Sequence, residues 1–325
     1  MTTNLVFRIV SILCVVVFQI FPRTASAQTY PNKPIRFIVT QAAGGTSDVI
    51  ARAFAQKLGE FLGQQVVVDN RPGANGIIGA EVVLKSPPDG YTLLFGSSPI
   101  LAINPALYKK LPYDPISDFS HIAMMGKAFY AVLAPLDSNV KSISDFIQLA
   151  KTKPFQLNYG SGSSGARANI EMFLAAAGIK VTHVPYKSNT QALSDLLANR
   201  LDLLFEATVT AAPYIKSGKV KALAVTSTTR LPQFPDLPTV SESGVPGYEY
   251  TAWVSLAAPA GLPKEVQKRL SDETEKVMNS PEIVERFRGM GFEPGYLNGE
   301  KTLKVLKSDI DNYKKAVRDA GIQQE

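Results

Sequence analysis

The feature that most constrains this chain is a repeated alternation of short apolar runs with longer stretches whose apolar residues recur at helical spacing. Residues 35–39 (Ile-Arg-Phe-Ile-Val) read as a buried strand, and Ile50, Phe54, Leu58, Phe61 and Leu62 then follow the period of a helix. A second pair comprises a strand at 66–68 and a helix at 77–85. The turn Pro87-Pro88-Asp89-Gly90 leads to a third strand at 91–95. The rhythm restarts with strands at 130–134 and 156–159, a helix at 144–151 between them, and a helix from 167 to the stop signal Gly178. Residues 180–184, 201–205 and 220–226 read as further strands separated by helical stretches. After a Pro-, Ser- and Gly-rich loop at 231–247 come a strand at 255–258 and helices at 264–278, 282–290 and 300–320. This order predicts the α/β class, with parallel sheets covered by helices on both faces.

The first residues bear on the compartment. Arg8 is the only charge before an apolar run over 9–21, which Pro22 and the triplet Ala25-Ser26-Ala27 close. A charged start, a short apolar middle and an A-x-A end are the parts of a secretory signal peptide. The run is shorter than the roughly 20 residues of a membrane-spanning helix. Residues 1–27 are therefore expected to be a leader, leaving a mature chain from Gln28 that does not insert stably in a membrane. The single cysteine, Cys14, lies in that run, so a mature chain has no disulfide and no thiol nucleophile. The net charge of +6 loses Arg8 and Arg23 with the leader, leaving +4. The basic residues are scattered rather than clustered on one element, so no nucleic-acid partner is expected.

In sheets of this class ligands sit beyond the carboxyl ends of the strands, which directs attention to four loops. Thr40-Gln41-Ala42-Ala43-Gly44-Gly45-Thr46-Ser47-Asp48 follows a strand and opens a helix. Its glycines let backbone N–H groups face outward, and the first N–H groups of a helix lack internal partners and attract an anion. Thr46, Ser47 or Asp48 would cap that helix, and a capped turn without a ligand would read the same way. Asp48 would repel a bound anion unless turned away. The second loop, Tyr159-Gly160-Ser161-Gly162-Ser163-Ser164-Gly165-Ala166-Arg167, has G-x-G-x-x-G spacing. The acidic residue a dinucleotide site needs about 20 residues on is missing, since 181–187 hold none. Gly96-Ser97-Ser98 and Glu206-Ala207-Thr208 close two further strands. The ligand-binding candidates are therefore Gln41, Gly44, Gly45, Thr46, Ser47, Asp48, Ser97, Ser98, Ser161, Ser164, Gly165, Ala166, Glu206, Ala207 and Thr208.

Catalytic and metal patterns are poor by comparison. The two histidines, His121 and His183, stand apart, and 183 falls in a strand pattern. No G-x-S-x-G elbow occurs, and no His, Cys or carboxylate cluster has metal-ligand spacing. No catalytic residue, metal or cofactor is expected.

At these loops the chain resembles the receptors of tripartite tricarboxylate transporters, also called the Bug family of solute-binding proteins. The resemblance is carried by Tyr30-Pro31-Asn32-Lys33-Pro34-Ile35, Gly44-Gly45-Thr46-Ser47-Asp48, Asp69-Asn70-Arg71-Pro72-Gly73-Ala74 and Pro88-Asp89-Gly90-Tyr91-Thr92-Leu93. Asn104-Pro105-Ala106-Leu107-Tyr108, Val184-Pro185-Tyr186-Lys187, Leu223-Ala224-Val225-Thr226, Leu237-Pro238-Thr239-Val240 and Ala258-Pro259-Ala260-Gly261-Leu262-Pro263 extend it. It implies a type II periplasmic-binding-protein fold of two doubly wound lobes with a ligand cleft between them, 28–126 plus 253–325 forming one lobe and 127–252 the other. It implies a monomeric periplasmic receptor that holds a small carboxylate-bearing solute on the Gly-Gly loop and the Gly/Ser loop and delivers it to a two-component membrane permease. A receptor that signals through a membrane sensor kinase is the alternative. The chain departs from the family pattern at Thr40-Gln41, where Pro and an aromatic residue are usual. It departs again at Ala166, Asn169 and Ser188, and at Glu206, where Asp is frequent. Gln41 is expected to line the pocket and make it more polar.

Overall fold

The computed structural model describes residues 30–319 and 323–324; the leader expected at 1–27 lies outside them. Two mixed sheets carry the chain from Lys33 onward, and helices pack against them. The first holds β1 (Ile35–Val39), β2 (Val66–Asn70), β3 (Thr92–Ser97), β4 (Phe119–Ala128), β10 (Ala252–Pro259) and β11 (Phe292–Asn298) in the order β11-β4-β10-β3-β1-β2. The second holds β5 (Tyr130–Pro135), β6 (Asn158–Ser161), β7 (Thr182–Pro185), β8 (Leu203–Ala207) and β9 (Val220–Val225) in the order β7-β6-β8-β5-β9. The chain thus leaves the first sheet between β4 and β5 and returns between β9 and β10. β4 runs to Ala128, which is paired with both Ala252 and Phe292.

The expectation of parallel sheets needs correction. β1 runs parallel to β2 and β3, and β6 parallel to β7 and β8. β10 is antiparallel to β3 and β4, and β5 is antiparallel to β8 and β9. These antiparallel members are the strands on which the chain arrives from the other sheet, so no βαβ crossover dictates their direction. β4 and β11 escape the apolar-run reading altogether. β4 is buried on nearly every residue and shows no alternation, whereas β11 contains Pro294-Gly295, which reads as a turn but is tolerated at the sheet edge.

The helices follow from apolar spacing and their stops. α1 (Thr46–Leu62) buries Ile50, Phe54, Leu58 and Leu62, one face at intervals of four, and ends at Gly63, which adopts the left-handed conformation at φ 70°. Phe54 meets Phe37 of β1 at 5.9 Å between ring centroids, and Phe37 meets Phe95 of β3 edge-on at 5.7 Å. Each such buried ring contributes about 1.5–3 kcal/mol. α2 (Ile77–Leu84) and the short α3 (Asn104–Leu107) complete the first segment. α4 (Ile143–Thr152), α5 (Ser164–Ala177), α6 (Asn189–Leu197) and α7 (Thr208–Lys216) accompany the second sheet, whose core gathers Ala131, Leu133, Leu196, Leu204 and Ala211. α8 (Lys264–Asn279), α9 (Pro281–Met290) and α10 (Gly299–Asp319) return to the first sheet, where Leu306 and Ile310 of α10 join Ile38, Leu94 and Trp253.

Candidate functional site

Three parallel strands in each sheet end at Val39, Asn70 and Ser97 and at Ser161, Pro185 and Ala207. The ends of all six, or the turns that follow them, line one cavity of about 600 Å³. The rule that ligands gather beyond the carboxyl ends of parallel strands is met from both sheets at once.

On the first-sheet side, Gln41, Gly45, Thr46 and Ser47 line the cavity. Gly45 is the residue before α1 and no side chain caps that helix, so its first N–H groups lack helical partners and carry the positive end of the dipole. Gly44 sits at φ +79°, a conformation L side chains rarely adopt, which lets its N–H donate to Asp48 Oδ2 at 2.9 Å. Gly44 and Asp48 are not on the cavity wall. Asp48 is buried behind the turn, 2.9 Å from Arg52. Burial alone would raise its carboxyl, but Arg52 and the Gly44 amide outweigh it and hold the group below the usual carboxylate range. The carboxylate that threatened to repel an anion is thus neutralised away from the cavity.

On the second-sheet side, Gly162, Ser163 and Ser164 line the cavity. Ser163 caps α5, its hydroxyl accepting from the Ala166 N–H at 3.2 Å, and Ser188 caps α6 in the same way through Gln191. Gly162 is required by a close approach: a Cβ there would stand 2.0 Å from the Ser188 carbonyl carbon. Its N–H donates instead to Asn189 Oδ1 at 2.7 Å, which ties the β6 and β7 turns together. Three of the candidates in this loop lie off the wall. Ser161 bonds His183 Nε2 at 2.7 Å, Ala166 is buried in the lobe, and Gly165 packs on Pro99, where a Cβ would come within 2.6 Å.

The third and fourth loops divide similarly. Ser97 lines the cavity, and its buried hydroxyl has no hydrogen-bond partner; Ser98 is turned inward, its hydroxyl accepting from the Trp253 N–H at 3.4 Å. Glu206 and Ala207 line it. Thr208 does not, because its hydroxyl is occupied with the carbonyls of Phe129 (3.0 Å) and Gly291 (2.7 Å). Glu206 is only 4% exposed. Its Oε1 accepts from the Ala207 N–H at 3.2 Å and from the Thr210 hydroxyl, the Asn189 amide also favours the carboxylate, and no donor meets Oε2 at good hydrogen-bond geometry. Burial without a cation pushes its carboxyl up to about 7. Thr210 also lies 3.3 Å, hydroxyl to hydroxyl, from Thr46 at the start of α1, so a polar contact joins the two sides of the cavity.

Sequence reasoning missed the turn 72–76 after β2, the turn 186–191 after β7, and the residues Tyr130 and Trp253 where the chain changes sheets. Both turns begin where parallel strands end, at Asn70 and Pro185, so the strand-end rule applied to every strand would have found them. Trp253 had no local signal. Its indole is fixed from outside the cavity by a 2.6 Å bond from Nε1 to Asp309 on α10. Among the described lining residues the ionisable charges are Lys187, exposed at the rim, and the buried Glu206. No group of three or more potential metal ligands occurs among the described residues.

Comparison with known proteins adds an independent finding. Residues 50–322 match the tripartite tricarboxylate transporter family receptor model. A UPF0065 protein of Pseudomonas sp. (strain P51) is 34% identical over 298 residues, which are 91% of this chain and 88% of that one. A solved R. palustris protein with adipate is 32% identical, with a TM-score of 0.89 over 91% of this chain and all of that one. The periplasmic binding protein BugD is similar at 32% identity and a TM-score of 0.87 over the same shares.

Proposed function

This chain belongs to the tripartite tricarboxylate transporter receptor family, and from that premise we propose that it captures a small carboxylate-bearing solute in the cavity between its two sheets and delivers it to a two-component membrane permease. The observation that carries the proposal is the convergence of Gly45–Ser47 and Gly162–Ser164, the starts of α1 and α5, on one cavity from opposite sheets. Main-chain amides and dipole ends on both sides suit a negative group with no arginine in the wall. The unpartnered hydroxyls of Ser97 and Ser164 add donors, each worth about 0.5–1.5 kcal/mol once bonded. The adipate carried by a close structural relative supports a carboxylate ligand.

In this reading 28–126 plus 253–325, with the strand ends 127–128 and 252, form one lobe and the residues between them the other, and the solute favours their closed arrangement through polar contacts across the cavity such as Thr46–Thr210. The mature receptor works in the periplasm as a monomer without chemistry on its solute. Thermal denaturation of ligand-stripped protein with acetate, succinate, malate, adipate and amino acids tests the central claim. At a hundredfold excess over Kd a true ligand adds about 2.7 kcal/mol. A melting temperature that no carboxylate moves would defeat the proposal.

A further inference from the structure

Glu206 is out of place in a cavity built for an anion. It is a buried carboxylate in the wall, Oε1 accepts from the Ala207 N–H and the Thr210 hydroxyl, the neutral Asn189 amide from α6 also favours the carboxylate, and no donor meets Oε2 at good hydrogen-bond geometry. No cation compensates it from any neighbouring element. From β5 comes Tyr130, whose own hydroxyl is held protonated by burial and by Glu206. From the β7–α6 turn come Lys187, exposed at the rim, and Tyr186, whose hydroxyl is engaged with Asp195. From α1 comes Asp48, already paired with Arg52. From α5 come Arg167 and Glu171, both of which act on Tyr159, Glu171 by accepting from its hydroxyl, and α7 presents the neutral Thr210.

A solute carboxylate entering this space would meet a second carboxylate with nothing between them to take up the charge. Two like charges sharing a low-dielectric site do not both stay ionised; one takes a proton. The solute's own carboxylates, met by helix N-termini, remain ionised, and Glu206 is the group with an open oxygen. Resting on the receptor reading above, we propose that capture of a carboxylate by this chain is proton-coupled, with the proton carried on Oε2 of Glu206. The proton comes from bulk solvent as the solute binds and returns to it on release, so uptake of a solute with n negative charges adds only n − 1 to the cavity. The carboxyl group's position near neutrality before any solute arrives means that this exchange falls within the ordinary range of pH.

Calorimetric titration with acetate, succinate, malate and adipate between about pH 7 and about pH 9 tests this, since those probes are ionised throughout. For wild-type protein the Kd of a binding probe weakens up to about tenfold per pH unit, and the heat differs between buffers of different ionisation enthalpy by an amount that corresponds to about one proton taken up. Glu206→Gln flattens the pH dependence to less than about twofold and abolishes the buffer dependence. The wild-type buffer comparison stands alone should the variant fold poorly. A probe that binds wild type with constant Kd and no buffer-dependent heat overturns the proposal while leaving the receptor reading intact. So does a Glu206→Gln variant that binds weakly at every pH, which would make Glu206 an acceptor for a solute hydroxyl or ammonium. Absence of binding or melting shift with all four probes would overturn the receptor reading and this inference together.

Discussion

Replacing Glu206 by glutamine should change how the unliganded protein responds to pH, by an amount the structure fixes. The folded carboxyl holds its proton up to about 7, against 4.5 for the ordinary group. Between those values the folded protein keeps a proton that the unfolded chain has already released. The raised value contributes nothing adverse below 4.5, and stability falls as pH climbs through the window to a plateau above about 7. At about 1.4 kcal/mol per pH unit, ionising Glu206 in place costs the fold about 3 kcal/mol. The variant keeps the shape and the acceptor for Ala207 and Thr210 but has no charge to bury. It should match wild type near pH 4.5 and exceed it by about 2–3 kcal/mol at pH 8.5, or about 4–6 °C at roughly 2 °C per kcal/mol. Differential scanning calorimetry of both proteins across that range is sufficient, because subtracting the two curves cancels the other titrating groups. Curves that run parallel would mean that Glu206 is solvated or paired, and the burial argument would fail.

Three further outcomes follow from the same geometry. Thr210→Val removes a donor to Oε1 of Glu206, so it should cost about 1–2 kcal/mol more at pH 8.5 than at pH 5, and in the Glu206→Gln background that excess should vanish in a double-mutant cycle. Gly44→Ala meets no atom within 4 Å but keeps φ at +79°, so thermal melting should register a loss of about 1–2 kcal/mol from the backbone alone. Gly162→Ala would place Cβ 2.0 Å from the Ser188 carbonyl carbon and must displace the α5 start. Carboxylate-induced melting shifts should then disappear, and a variant that still responds to the wild-type ligand would count against the Gly162–Ser164 wall.

What the sequence determined by itself was local. Apolar runs of five residues followed by helical spacing located most strands and helices, because those signals lie within a single element and need no partner. The same logic placed the start of α1 after the Gly-Gly turn and the Gly/Ser turn before α5, since the lack of a Cβ and the unpaired first N–H groups are properties of the turn itself; the side-chain cap expected from Thr46, Ser47 or Asp48 did not form, because Gly45 takes the cap position and the Asp48 carboxylate is drawn to the Gly44 N–H and Arg52. Tertiary structure decided everything that depends on which way a residue faces. Gly45, Thr46 and Ser47 reach the cavity while Asp48, one residue further round the helix, turns to Arg52; Ser97 faces it while Ser98 turns to Trp253. Strand direction is likewise absent from a local pattern, so β5 and β10 could be found but not oriented. Glu206 shows the difference most sharply: in the sequence it is a carboxylate at a strand end, with nothing to distinguish it from an exposed one. Only the packing of β5, α6 and α7 around it removes the water that would hold its charge, and the free energy of an ion is set by what surrounds it rather than by its neighbours in the chain.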